Sequence, residues 1–114
     1  MLNLPKRRKA SKLGLREAPQ IRCAGHLQWI RGHQCTVNNG ECSDRIEAAH
    51  ARAGTDGGLG VKPSDCWTLP LCSFHHRDQH RIGEPAFERL HGVKMKDTAA
   101  ALWAKSPHRK KHLP

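Results

Sequence analysis

The sequence predicts a small α+β domain stapled by zinc, with short flanking helices and basic disordered tails. Three observations lead to this prediction. The 114 residues are only 37% apolar and include three Trp, two Phe and no Tyr, too little for a large core. Nine His and five Cys supply the preferred ligands of zinc. The odd number of Cys, with no signal sequence before them, argues against a disulfide framework.

The net charge of +10 is concentrated at the two ends of the chain. Residues 1–16 carry six Lys or Arg and no acid, and residues 105–114 carry four and no acid. We therefore expect a basic N-terminal arm over 1–22 and a basic tail over 106–114, with the domain between them at 23–105. Such clusters attract nucleic-acid phosphates, although a solvated end without a partner is the alternative. The expected contacts in the first arm are Lys6, Arg7, Arg8 and Lys9.

The domain opens with a helix predicted over 24–31, where Leu27 and Ile30 are three residues apart. His26 and His33 flank this apolar face. No second ligand lies at metal-binding spacing from either of them. We therefore expect both imidazoles at the surface.

The Asn-Gly dipeptide at 39–40 is a strong hairpin-turn signal. It brings the flanking Cys35 and Cys42 together, as in a metal knuckle. A short strand is compatible with residues 45–51. The glycine-rich run at 53–60 that follows predicts a mobile loop.

Residues 63–71 predict a turn and a second short strand, with Pro70 at its edge or end. Ser73 is the expected N-cap of the next helix, Pro85 opens the one after it, and Asp97 caps the last. The predicted ranges of these helices are 73–81, 84–92 and 97–105. No stretch is apolar enough over 18 residues to cross a membrane, so we expect a soluble, cytoplasmic protein.

Two sets of metal ligands can be drawn from these elements. Cys35 and Cys42 form half of the first set, and the C-x2-H pair Cys72 and His75 completes a Cys3His site suited to structural zinc. Unlinked thiols and imidazoles are the alternative. The two remaining cysteines are expected to be ordinary reduced thiols: Cys23 and Cys66.

The second set is open rather than closed. His76 and His80 stand one turn apart on the predicted helix and can hold a divalent ion while leaving positions for water and substrate. His50 lies on a different element and suits a general base, since its imidazole titrates near neutral pH. Asp65 joins this set, and a turn-capping role is equally open for it.

The motifs of this region occur in a fixed order: Glu47-Ala-Ala-His50, a glycine-rich loop, Lys62-Pro-Ser-Asp65, Leu69-Pro-Leu-Cys72 and His75-His76-Arg-Asp-Gln-His80-Arg-Ile-Gly83. This order resembles the HNH (His-Me finger) endonucleases, specifically a phage and prophage branch with Ref-type and YbcO-like nucleases. The resemblance covers about residues 24–105 and is strongest from His50 to Gly83. It implies the ββα-metal fold, in which a hairpin and a helix enclose one divalent ion, with its core at about 45–82.

The resemblance also implies residue roles. His50 takes the position of the general base, and Asp65 falls near the central Asn of the family. His76 and His80 fall on the ligands of the catalytic ion, and the Cys3His residues match the structural zinc positions. The sequence departs from the family at Ala49, where many members carry a metal ligand. The role of Asp65 therefore stays open between binding metal, orienting His50 and tying the hairpin.

These roles predict a metal-dependent endonuclease that hydrolyses phosphodiester bonds of DNA, duplex or single-stranded, with weak sequence specificity. The expected catalytic ion is Mg²⁺, with Mn²⁺ or another divalent ion as alternatives. We expect a bacterial or phage-infected cell as the setting, a recombination protein as a further partner, and neither a membrane nor a small-molecule substrate. Near the site, the expected contacts to nucleic acid are Lys62, Arg77 and Arg81.

Two other functions remain open from the sequence. The first is a non-catalytic, zinc-stapled DNA-binding module, and the second is an adaptor that docks on a recombination protein. Ala49 favours a site that has lost its catalysis. His50 and the open pair His76 and His80 favour the nuclease, because neither alternative requires them.

Overall fold

The computed structural model describes residues 20–43, 45–58 and 60–112. In this part the chain is a small α+β domain with one two-stranded sheet and four α-helices, which confirms the predicted class. No described helix has the length and apolar character needed to span a bilayer. The elements in chain order are α1 Ala24–Arg31, β1 Ile46–His50, β2 Thr68–Cys72, α2 Ser73–Ile82, α3 Glu84–His91 and α4 Met95–Lys105, with 3-10 helices at Asp65–Trp67 and Arg109–His112.

The sheet is an antiparallel hairpin whose two strands are joined by a long connection. Ile46 pairs with Cys72 at one end, and His50 pairs with Thr68 at the other. β2 is buried at every position, which is why its sequence is almost continuously apolar. This register places His50 beside the 3-10 helix that precedes β2, and Ile46 beside the first turn of α2.

A small core lies around β2. Leu69 and Leu71 are fully buried together with Phe87 from α3 and Met95 from α4. Ala49 of β1 is also fully buried and belongs to the same cluster. The core is as modest as the composition predicts, and it includes two of the cysteines assigned to zinc: Cys35 and Cys72.

The predicted hairpin at 39–40 is a turn without strands in the described part of the chain. Asn38 takes a positive φ of 48°, and the Cys42 amide donates to the Asn39 carbonyl over 3.1 Å. The Asn39 side-chain oxygen accepts from the Glu41 amide at 2.9 Å. The local signal therefore predicted the turn correctly, but no ladder forms around it.

Two predicted helix caps are wrong. Cys72 rather than Ser73 is the N-cap of α2, and its Sγ accepts the His75 amide at 3.4 Å. The last helix begins at Met95, two residues before the predicted cap Asp97. Its first amide donates over 2.7 Å to the carboxylate of Glu88, which lies seven residues earlier on α3, a spacing that no helix-capping pattern predicts.

The glycine-rich loop is held by side-chain hydrogen bonds of Arg52 and Glu84, although its composition predicts mobility. The Arg52 guanidinium donates to the carbonyls of Gly58 and Val61 at 2.9 and 3.2 Å. The Glu84 carboxylate accepts the amides of Arg52 and Ala53 at 2.6 and 2.9 Å. These bonds join the loop to the start of α3.

The C-terminal segment is also ordered where we expected a disordered tail. Ser106 is buried, and residues 109–112 form a 3-10 helix beside α4. At the other end, the described part of the predicted arm is paired: the Ile21 amide donates to the Ser64 hydroxyl at 2.8 Å. The remainder of that arm, with Lys6, Arg7, Arg8 and Lys9, lies outside the described residues.

His26 is buried, although the sequence predicts surface positions for both His26 and His33. Its side chain is fully buried, with its ring edge-on to Trp103, and its Nδ1 lies 2.8 Å from the Ser106 hydroxyl. Burial, assisted by the charge of His108, lowers the pKa of His26 to about 4. The imidazole is therefore neutral in the folded protein at neutral pH.

This pKa predicts that acid destabilises the fold. The unfolded chain takes up a proton on His26 near pH 6.5, whereas the folded chain does so only near 4, so stability falls as the pH drops through that window. Between pH 7 and pH 5 we expect a loss of about 2 kcal/mol from this residue. Chemical denaturation at both pH values, at equal zinc content, measures it. A His26→Gln variant that kept the parental pH dependence would contradict the assignment.

Candidate functional site

Four side chains form a cluster with the composition of a structural zinc site. The donor atoms of Cys35, Cys42, Cys72 and His75 all lie within 4.8 Å of one another. His75 Nδ1 lies 3.6, 3.6 and 3.2 Å from the three sulfurs, in that order. In a tetrahedral zinc site the sulfur and nitrogen ligands stand about 3.6 Å apart. The cluster could therefore hold a zinc ion, as the sequence predicts.

The surroundings of Cys72 favour metal binding, whereas burial raises the pKa of the Cys42 thiol. Burial raises the pKa of the Cys72 thiol, but hydrogen bonds from His75 and Ser43 outweigh burial and lower it to about 6. The thiolate, which is the metal-binding form, is thus favoured at neutral pH. His75 Nε2 is buried and has no hydrogen-bond partner among the described residues, and its ring packs edge-on against His91 at 5.1 Å. The ligand nitrogen that faces the sulfurs is Nδ1.

A second arrangement lies at the far end of the hairpin, where His50 contacts Asp65. His50 Nε2 is 3.1 Å from Asp65 Oδ1, and the carboxylate is 4% exposed. Burial lowers the pKa of His50, and the charges of Lys62 and Arg22 act in the same direction. The hydrogen bond and charge of Asp65 oppose this shift without cancelling it. His50 is therefore neutral at pH 7, with Nε2 engaged.

Asp65 has partners on both oxygens. Oδ1 accepts from His50 and lies 3.4 Å from the Arg22 guanidinium, while Oδ2 accepts the Cys23 amide at 2.8 Å. The carboxylate thus orients His50 and ties the segment before α1 to the sheet. Of the three roles left open by the sequence, the contact with His50 supports orientation of the imidazole, and it also joins the end of β1 to the segment before β2 across the hairpin.

The pair His76 and His80 lies on one face of α2, as predicted. Their Nε2 atoms are 3.3 Å apart. His76 Nδ1 is 2.7 Å from the carboxylate of Glu47 on β1, and Arg45 donates to the same carboxylate at 3.0 Å. The hydrogen bond with His76 lowers the pKa of Glu47, with a smaller contribution from Arg45. Glu47 thereby directs His76 Nε2 towards His80.

His50 does not join this pair as a third ligand. Within residues 20–43, 45–58 and 60–112, the Cys3His cluster is the one group of three or more His, Cys, Asp or Glu at ligand distances. Ala49, at the position where the resembling family carries a ligand, is buried in the core. An ion on α2 would therefore have two histidines from this chain.

The predicted basic contacts near the site differ in their surroundings. Lys62 is exposed, and its charge acts on His50. Arg77 is exposed on α2. Arg81 is exposed as well but pairs with Asp78 at 2.6 Å, so an incoming phosphate has to compete with a carboxylate there.

Sequence reasoning assigned no role to Glu47 or Arg22. The sequence shows an acid, Glu47, three residues before His50. No local pattern predicts its contact with His76 of α2. Arg22 donates to the carbonyls of Lys62 and Pro63 at 2.9 and 2.5 Å. These are long-range backbone contacts without a sequence signal.

A comparison with family models matches most of the chain to one protein family. The family described as "Protein of unknown function (DUF968)" matches residues 16–106, which span most of the chain. Comparisons with curated proteins and with solved structures find no match. The matched range includes the Cys3His cluster together with His50, His76 and His80.

The zinc assignment predicts one zinc ion per purified chain and a fold that depends on it. Cys35→Ser or Cys72→Ser should lose the metal and melt at a much lower temperature, because binding of structural zinc contributes directly to folding. Elemental analysis and thermal melts measure both effects. Cys66→Ser is the matched control: this thiol is half-buried outside the cluster, burial raises its pKa to about 11, and its loss should leave zinc content unchanged. The assignment would be contradicted if the purified parent protein held no zinc and the Cys35→Ser or Cys72→Ser variant melted at the same temperature as the parent.

Proposed function

The chain belongs to DUF968, a protein family of unknown function, and we propose that it is a metal-dependent endonuclease that hydrolyses DNA phosphodiester bonds. The observation that carries the proposal is the contact of the His50 imidazole with the buried Asp65 carboxylate at 3.1 Å. A histidine fixed in this way is a poised general base. A separate pair of histidines on α2 supplies ligands for an ion.

The tautomer of His50 supports its role as the base. Asp65 is a carboxylate and accepts hydrogen bonds, so Nε2 of His50 carries the proton that it donates to Oδ1. The lone pair then lies on Nδ1. That nitrogen can take a proton from a water molecule as its oxygen attacks phosphorus. Asp65 stabilises the imidazolium that results.

The spacing of His76 and His80 fits a shared divalent ion. Two imidazole nitrogens at about 2.1 Å from one ion stand roughly 3.0 Å apart in octahedral and 3.4 Å apart in tetrahedral geometry. The observed separation of 3.3 Å falls in this interval. When bound, the ion would stabilise negative charge on the phosphate and on the leaving 3′ oxygen. Imidazole ligands suit a transition ion better than Mg²⁺, which prefers oxygen ligands, so the assay tests Mn²⁺ beside Mg²⁺.

Charge supports a nucleic-acid substrate. The chain carries a net charge of +10, and Lys62 stands exposed beside His50. Contacts of this kind bind the phosphate backbone and carry no base information, so we propose weak sequence specificity. The N-terminal cluster at 6–9 would add to the same attraction.

One observation favours a second function, a zinc-stapled module that binds DNA without cutting it. Ala49 is buried and cannot contribute a ligand, which leaves the ion with fewer anchors on this chain than in the resembling family. The two functions differ in a direct assay. Incubation of plasmid and single-stranded DNA with the protein in Mg²⁺, Mn²⁺ or EDTA separates binding from cleavage.

The two histidine positions should respond differently to substitution. His50→Ala should reduce cleavage by about 10²- to 10⁴-fold while divalent-ion and DNA binding stay near parental, because a base acts in the transition state. His76→Ala should weaken ion binding as well as cleavage, and added metal should restore part of the rate. Titration of the ion and plasmid nicking measure these effects. A His50→Ala protein that cuts at the parental rate would overturn the proposal.

The pH profile tests the contact between His50 and Asp65. Cleavage requires neutral His50, so the rate should fall in acid through a pKa below 6.5. Asp65 raises this pKa, so Asp65→Asn should move the acid limb to lower pH and reduce the plateau rate by roughly 10- to 100-fold. Asp56→Asn is the control, since Asp56 bonds to Ser64 and not to His50. An acid limb that stays in place in Asp65→Asn would show that another group controls the profile.

A further inference from the structure

The C-terminal end of the described chain is a concentrated positive surface. Lys105, Lys110 and Lys111 are exposed, and Arg109 is half-buried. Residues 105–112 contain no acid. Among the described residues, no ion pair involves any of these four cations, whereas Arg45 and Arg81 do have acidic partners. We call these four residues the C-terminal basic surface.

This surface is held in place by the fold. The Ser106 hydroxyl contacts buried His26 at 2.8 Å and accepts the His108 amide at 3.1 Å. The amides of Arg109 and Lys111 each donate to a carbonyl three residues earlier at 3.3 Å. The ring of His112 packs on Trp103 with centroids 5.8 Å apart. The cations therefore project from a turn anchored on α1 and α4.

The anchoring contacts reach the end of the domain where His50 and Asp65 lie. His108 packs so closely on Gly25 that a Cβ there would stand 2.6 Å from the imidazole. Gly25 follows Cys23 by two residues, and the Cys23 amide donates to Asp65. α4 also packs against the 3-10 helix that contains Asp65. A continuous set of contacts thus links the basic surface to the candidate active site.

We propose that the C-terminal basic surface is a preformed binding surface for a nucleic-acid backbone, which holds the strand on one side of the candidate active site. The inference rests on the proposed function for the identity of the substrate. An array of cations on an ordered segment, without ion-pair partners among the described residues, matches a polyanion with regularly repeated phosphates. Because the fold already orders the segment, binding requires less loss of chain entropy than a disordered tail with the same charge.

The first test removes charge. A short labelled DNA duplex is titrated with His50→Ala protein, which does not consume it, over a range of salt concentrations. Adding Lys110→Ala and Lys111→Ala should make the slope of log affinity against log salt shallower by about two and weaken binding about tenfold at low salt. Arg89→Ala with Lys94→Ala is the matched control, because it removes the same charge from exposed positions near α3. The control should leave a steeper slope than the test pair.

The second test keeps the charge and changes its placement. Insertion of Gly-Ser-Gly between Pro107 and His108 leaves Ser106 on His26 but releases the basic turn from Gly25 and Trp103. A fixed surface predicts weaker binding, close to that of the double Lys variant. The same tripeptide added after Pro114 is the control and should have no effect.

The outcomes separate this inference from the proposed function. Weaker binding by both the double Lys variant and the internal insertion supports the preformed surface. If the double variant weakens binding and the insertion does not, the segment acts as a tether and the preformed surface is wrong. If neither change affects binding by a chain that does bind DNA, the surface is wrong and the nuclease proposal stands. A parent chain that binds no DNA overturns both.

Discussion

The Cys3His cluster is the constraint on which the rest of the domain depends. It joins a turn after α1, the end of β2 and the first turn of α2 through Cys35, Cys42, Cys72 and His75. The apolar core around Leu69 is small, and because a chain of this size buries a limited share of its surface, we expect the fold to need a further staple. A metal ion that binds only the folded arrangement would supply the missing free energy.

His75 and His76 are adjacent on α2, but helix geometry directs their side chains to different sites. Successive residues of an α-helix are rotated by about 100°, so His75 and His76 cannot face the same way. His75 points into the buried sulfur cluster, and His76 points to Glu47 on β1. His80 follows His76 by about one turn and returns to its face. One helix thus serves a candidate structural site and a candidate ion site together.

Asp65 performs the corresponding task at the other end of the hairpin. Its carboxylate binds His50 on one side and the Cys23 amide on the other. The Asp65 carboxylate therefore both orients the His50 imidazole and attaches the start of α1 to the sheet. This sharing explains how a small domain keeps a buried carboxylate: both oxygens have donors, and the cost of burying them is offset.

The sequence by itself determined the α+β class, the four helices to within a few residues, and the four residues of the Cys3His cluster. These depend on local information: apolar periodicity, turn residues and the spacing of metal-binding side chains along the chain. It also placed His76 and His80 on one face, which follows from helical spacing alone.

Only the tertiary structure decided the burial of His26, the contact of Glu47 with His76, and the docking of residues 106–112 on α1. Each joins groups that are distant in sequence, and neither a 3.6-residue nor a 2-residue period encodes which elements meet. His26 lies under Trp103 and Ser106 because α4 and its basic extension pack across α1. The composition of residues 106–112 predicts a solvated tail. The segment is ordered because the buried Ser106 hydroxyl at its start contacts the His26 imidazole. That contact exists only after α1 and α4 have packed.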